Sequence, residues 1–295
     1  MTPDRFVTTS RSRKHLYGAA VLALLILGSV AAIATAPRDL TWSVPSATPT
    51  VVAGNAPTTT TVSLTAVNTL PNAVVRVSPS LAGLVSVSPS DLSTLPKGRT
   101  VTLTLTSSAP ASSTPGVVQG SIQIEKENPN HQPYGTPLPV NLHITWPAVT
   151  TQGVTLTYPP TWTLDQQSPS LGGPVEVRTF AQYAHGGVRP HGGATIDVTR
   201  TPLPQEPLAT TIAADLSGAT IDATSNQQVA GASATRVSYH DSYTPVSQES
   251  GVTVYVPVGV FLYKLSLEYD QGDPNEATLL ATFNNLLNAV TLAAS

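Results

Sequence analysis

From Thr59 to Thr145 apolar and polar residues alternate with a period of two. The runs are short, and proline, glycine or serine breaks each of them. In TTVSLTAVN, Val62, Leu64 and Ala66 fall on one face, and Thr61, Ser63 and Thr65 on the other. NAVVRVS, LVSVS, RTVTLTLTS, GVVQGSIQIE and LPVNLHIT repeat the pattern, separated by SPSLAG, PSDLSTLPKG, SAPASSTPG and ENPNHQPYGTP. A period of two is the signature of strands with one packed face and one solvated face. About seven such strands in roughly 105 residues predict an all-β sandwich of two antiparallel sheets, of the immunoglobulin-like type. The stretch before it, RDLTWSVPSATPTVVAGNAPTTTT, reads as a stalk or as a first strand; Trp42 and Val44 alternate against polar neighbours, which favours a strand over at least part of it. The chain has no cysteine. Such a sandwich is therefore held by apolar burial, without an inter-sheet disulfide.

Residues 148–295 have a different texture. GVTLTYPPTWTLD carries Val154, Leu156 and Tyr158 in alternation, then a Pro-Pro break and Trp162. Strand patterns follow at VEVRTF, ATIDVTR, ATRVSYHDS, GVTVYVPVG and FLYKLSLEYD. Two helices are predicted. In the first, Pro207–Leu216, the residues Leu208, Ile212 and Leu216 form one apolar stripe. The second follows DPNE, with Asp273 as cap, Pro274 in the first turn and Glu276 closing a capping box. Its buried face is Leu279, Leu280, Phe283, Leu286, Leu287 and Val290. Strands with a helix between and a helix after describe an α+β domain, an antiparallel sheet flanked by helices.

Two resemblances attach to these patterns. TLPNAVVRVSPSLAGLVSVSPSDLSTLPKGRTVTLTLTSSAPASSTPGVVQGSIQI resembles the immunoglobulin-like modules of bacterial envelope proteins, over residues 40–147. That resemblance implies a spacer or adhesion-type module, not a catalyst. GVTLTYPPTW, QVAGASATRVSY and VTVYVPVGVFLYKLSLEYDQGDPNEATLLATFNNLL occur in the order and spacing of the PsbP-like family. The opening strand departs from that family in lacking phenylalanine. The family brings no catalytic set with it, so none is carried over to this chain.

The N-terminus bears on compartment. Arg5, Arg11, Arg13 and Lys14 precede a charge-free apolar run, Leu16–Ala36. Its 21 residues match the roughly 20 that a helix needs to cross a bilayer. The basic flank keeps residues 1–15 inside, and residues 37–295 are then extracytoplasmic. Two readings stand: an uncleaved single-pass signal anchor, or a signal peptide cut near Ala34 or Ala36 and a secreted product. The expected organisation is a basic segment (1–15), the apolar segment (16–36), the sandwich (37–147) and the α+β domain (148–295).

Charge narrows the partners. Residues 1–38 hold five of the 14 Lys and Arg and one of the 17 Asp and Glu, leaving nine basic against sixteen acidic residues beyond them. A net charge of −7 over residues 39–295 offers no basic patch for phosphates, which argues against nucleic acid and against adsorption to anionic lipid. The expected partners are the membrane, through the N-terminal helix, and a protein or another cell-envelope component.

Few residues look like chemistry. AHGGVRPHGGATIDV places His185 and His191 six apart, each before a Gly-Gly pair, with Asp197 downstream. These three are the candidate metal ligands, but four glycines and a proline between two imidazoles fix no tetrahedral geometry. The competing reading is an edge loop feeding a strand, in which Ile196 and Val198 face the core and Asp197 faces away. A glycine-rich anion cradle leads into a helix, and here a strand follows. DQGDPNE lacks the ligand spacing of a calcium loop. No G-x-S-x-G elbow occurs, and His240-Asp241 adjacency orients no imidazole. No cofactor and no catalytic residue are expected. Trp162, Tyr183 and Tyr243 are the candidates for a binding surface, because Tyr and Trp concentrate at interfaces and in clefts. The function that fits is a membrane-anchored or secreted envelope protein acting as a non-catalytic binding module. A structural or assembly spacer is the alternative, and a surface hydrolase or metal-dependent enzyme comes third.

Overall fold

The computed structural model describes residues 39–127, 131–165, 175–184, 189–244 and 247–294. The apolar N-terminal run lies outside them, as does His185. Among the described residues no helix is long and apolar enough to cross a membrane. These residues are mostly β, with several antiparallel sheets and two α-helices among them.

Residues 40–145 form two sheets. One runs β1 (Leu40–Trp42), β3 (Thr58–Ala66), β7 (Thr100–Ser107), β5 (Val85–Ser88). The other runs β2 (Thr50–Val52), β9 (Leu138–Thr145), β8 (Gly116–Lys126), β4 (Leu70–Val77), β6 (Asp91–Leu95). Pairing is antiparallel except between β2 and β9. The alternation does what it predicts. On β3, Val62, Leu64 and Ala66 are buried, and on β7 so are Leu103 and Leu105. On the other face Ser63 meets Thr102 at 3.2 Å and Thr65 meets Thr100 at 2.9 Å, a ladder of cross-strand hydroxyls. Slipping the register by one residue would turn this whole apolar set outward, which is why the pattern specifies it. The two inner faces share one cluster that reaches from Leu40 to Trp146.

A second apolar cluster begins at Val149. It belongs to a small sheet of β10 (Ala148–Thr151), β11 (Val154–Thr157) and β19 (Thr291–Leu292), and to a seven-stranded antiparallel sheet. The latter runs β12 (Thr163–Asp165), β13 (Val175–Arg178), β14 (Ala194–Pro202), β18 (Phe261–Asp270), β17 (Ser247–Val258), β16 (Ala232–Thr244), β15 (Ala219–Val229). Helix α1 is Leu208–Asp215 and helix α2 is Glu276–Ala289. Leu279, Phe283, Leu286 and Leu287 of α2 pack on Val177, Ile196, Val198, Val254, Leu265 and Leu267. Each such side chain contributes about 1.5–3 kcal/mol by leaving water. Leu208, Ile212 and Leu216, the expected stripe, sit on the opposite sheet face with Val237, Tyr255 and Leu262.

The start of α2 differs from the expected capping box. The cap position is Asn275, which makes no side-chain capping bond. Asp273 instead accepts the Asn275 N–H at 2.7 Å, closing a turn one step earlier. Glu276 is turned away to accept the Tyr269 hydroxyl at 3.0 Å. Pro274 lies inside this turn, ahead of the cap, so the DPNE signal places the helix start two residues too early.

Candidate functional site: the polar face of the seven-stranded sheet

A strand presents successive side chains to opposite faces. Ile196 and Val198 of β14 face α2, so Asp197 faces the other way, as expected. What the alternation does not convey is that this second face is buried too. Its central row is Glu176 on β13, Thr195 and Asp197 on β14, Ser266 on β18 and Thr253 on β17, each at most 3% exposed. The register sets Glu176 opposite Asp197, Asp197 opposite Ser266, and Ser266 opposite Thr253. Thr253 and Ser266 bond each other at 3.0 Å.

The acids in this row are handled differently. Glu176 accepts from Arg178 at 2.8 Å and from the Tyr183 hydroxyl at 2.9 Å. Arg178 also bonds Asp165 at 3.2 Å and the Ala181 carbonyl at 3.1 Å. Its guanidinium lies 5.7 Å from the Phe180 ring centre and 5.3 Å from that of Tyr183, two rings that meet each other edge to face at 5.0 Å. Among the described residues Asp197 has no such clamp, and its Oδ1 is buried without a hydrogen-bond partner. Burial pushes its carboxyl up to about 8, with the charges of Glu176 and Glu268 adding to the shift. Glu268, two residues beyond Ser266 on β18, is raised in the same direction by burial and by Glu249.

Where this row reaches α1 it opens into a groove of about 540 Å³. Thr199, Thr201, Tyr255, Leu262 and Lys264 line it from the strands, and Glu206, Thr211 and Asp215 from the helix side. Asp215 Oδ2 accepts the Tyr255 hydroxyl at 2.6 Å and lies 2.7 Å from Lys264 Nζ. That volume is within the roughly 300–1,000 Å³ of small-molecule sites. Its walls carry hydroxyls and both signs of charge.

The sequence candidates distribute around this face. His191 is 98% exposed, with Nδ1 2.6 Å from Asp270. The same carboxylate accepts the Gly192 N–H at 2.7 Å, and Arg189 lies 3.5 Å from it and 2.9 Å from Glu249. The glycine-rich segment is thus tied to the ends of β17 and β18. Asp197 is elsewhere: its register partner Ser266 is four residues, or about 13 Å, from Asp270 along β18. Among the described residues no three His, Cys, Asp or Glu are placed to hold a metal ion. Tyr183 belongs to the Arg178 clamp. Trp162 lines a smaller pocket of about 240 Å³ with Thr179, Gly192, Asp273, Thr278 and Thr282. Tyr243 is on β16, and its side chain lies outside the described residues. His240 is paired not with Asp241 but with Asp222 of β15, at 2.7 Å.

Glu176, Arg178, Lys264 and Asp215 were not among the sequence candidates. The available signal was charge at alternate positions inside strong strand patterns, VEVR and YKLSLE, where the in-between apolar residues already fill one face.

No family model matches the chain, and no curated protein does. Among solved structures it is similar to LpqN of Mycobacterium tuberculosis, a protein involved in cell envelope biogenesis. The identity is 18% and the TM-score 0.36, over 50% of this chain and 90% of that one. It is also similar to the cyanobacterial PsbP of Synechocystis, at 12% identity and a TM-score of 0.35, over 50% and 92%. A Bacteroides ovatus protein of unknown function is similar at 10% and 0.30, over 80% and 94%. The expected PsbP-like likeness is thus present as a distant structural match over half of the chain. At these values it says nothing of chemistry.

Proposed function

We propose that this is an extracytoplasmic envelope protein, membrane-anchored or secreted, that binds a partner without catalysis through the groove between α1 and the seven-stranded sheet. The groove carries the reading: about 540 Å³ lined by Thr199, Thr201, Thr211, Tyr255 and the Lys264–Asp215 pair. Such a lining suits a polar occupant that exchanges hydrogen bonds and needs both donors and acceptors. The apolar run Leu16–Ala36 supports the compartment, and the β1–β9 sandwich serves as the spacer.

A photo-cross-linking residue at Thr211 of the full chain, in intact cells, tests this. A control at Val117, 51% exposed on the sandwich, is read in parallel. Adducts from Thr211 are expected in the envelope fraction. Adducts from Val117 alone would favour the spacer-and-contact role of the sandwich, and recovery of the chain in cytosol would overturn the compartment.

A further inference from the structure

Among the described residues the sheets end in short strands, with one exception. The edge strands β1, β2, β5, β6, β10, β12 and β19 have between two and five residues each. Brevity is a common protection of an edge against pairing with another chain. Strand β15 has 11 residues and ends the seven-stranded sheet. Among the described residues no strand pairs with its outer side. Nearly all of its residues are exposed or half-exposed, on both faces.

Its backbone shows which groups are open. β15 turns into β16 through Ala230 and Gly231, at φ of 50° and 78°, so that Val229 pairs with Ala232. Two central residues with positive φ make the type I′ hairpin, in which the flanking pair exchanges both backbone bonds. In an antiparallel ladder that role recurs at every second residue. Val229, Gln227, Ser225 and Ala223 therefore bond to β16. Gln228, Asn226 and Thr224 direct their N–H and C=O groups outward.

The usual guards are missing from this stretch. The register irregularity lies between Ile221 and Ala223, so Ala223–Val229 is regular. The sequence of that stretch, ATSNQQV, has no charge and no proline. It is also self-complementary. In an antiparallel pair centred on Asn226, Asn226 faces its own copy, Thr224 faces Gln228, and Ala223 faces Val229. The outward-directed residues Thr224, Asn226 and Gln228 all fall at positions that exchange both backbone bonds. Asp222, the one charge on the strand, lies beyond the paired stretch and meets no like charge.

We propose that two copies of this chain associate through β15, edge to edge and antiparallel about Asn226, joining their seven-stranded sheets across a two-fold axis. Such an axis needs the same patch on both copies, and it satisfies the outward groups of both at once.

The natural absence of cysteine makes the test direct. In the full chain in detergent, Asn226→Cys places two thiols on the axis. Their Cα atoms are then about 5.5 Å apart, within disulfide range. Thr220→Cys places its copies about 40 Å apart on the same strand. A linked dimer is expected from the first variant and not from the second. Asn226→Pro removes only an outward N–H, and Asn226→Lys sets two like charges face to face. Both are expected to shift the sedimenting mass from dimer toward monomer with the melting temperature of the wild type kept. A wild-type chain that stays monomeric at its highest concentration overturns the proposal. So does equal linking at positions 220 and 226, or a dimer that survives Asn226→Lys.

Discussion

Replacing Asp197 by asparagine is expected to stabilise the protein, and by an amount that depends on pH. The side chain is 3% exposed, has an unpartnered Oδ1, and faces Glu176 across the β13–β14 pair. Its carboxyl is raised to about 8 in the folded state, against roughly 3.9 in an unfolded chain. Between those values the folded state holds a proton that the unfolded state has released. Stability then falls as pH rises, by about 1.4 kcal/mol per unit, from about pH 4 until the folded carboxyl itself ionises near pH 8. At pH 7 the accumulated cost is about 4 kcal/mol, a large part of the 5–15 kcal/mol that holds a domain together. Asparagine has the shape of the protonated acid and no proton to take up. Urea unfolding of both proteins across pH 4–8 measures the difference. The gap is expected to be near zero at pH 4 and to approach about 4 kcal/mol by pH 7. Glu268 is raised in the same sense, so the variant keeps a shallower slope of the same sign. A gap that does not change with pH would refute the reasoning, because it would mean that Asp197 binds no extra proton on folding.

Two further substitutions test the packing that surrounds this row and the sandwich. Arg178→Met strips Glu176 of its bond at 2.8 Å and leaves a fully buried carboxylate, which is expected to cost about 3–5 kcal/mol in urea unfolding. Adding Glu176→Gln to the same chain is expected to recover most of that loss; no recovery would assign the effect to lost stacking on Phe180 and Tyr183. Gly120→Ala puts a methyl group on β8 against the Ser78 hydroxyl and the Leu81 side chain of the 3₁₀ turn Pro79–Leu81. Overpacking of this kind costs about 1–3 kcal/mol, read as a lowered thermal midpoint, and a midpoint equal to wild type would mean that this turn does not rest on β8.

How far the sequence can be read depends on how many faces of a strand are buried. β3 and β7 bury one face each, and their period of two is visible as TTVSLTA and TVTLTLT. β14 buries both faces at its centre. The alternation in ATIDV correctly sends Asp197 away from Ile196 and Val198, but the cover over Asp197 comes from tertiary neighbours, among them Glu176 and Ser266. No local pattern encodes that cover, so neither the groove nor the raised carboxyl was legible. Trp162 and Gly192 likewise share a pocket with α2 only because the fold brings together residues far apart in the chain.

β15 is the opposite case and the more instructive one. ATIDATSNQQV was not recognisable as a strand, since only its end residues Ala219 and Val229 meet a core and selection for burial leaves no alternation between them. Its strand form is imposed from outside, by a two-residue turn with positive φ at Ala230 and Gly231 and by pairing with β16. A strand held only on one side keeps its form at the expense of an open row of donors and acceptors on the other. The features that hid β15 from a pattern reading, its polar composition, uncharged from Ala223 to Val229, and its exposure on both faces, are therefore the ones that leave it free to pair with its own copy.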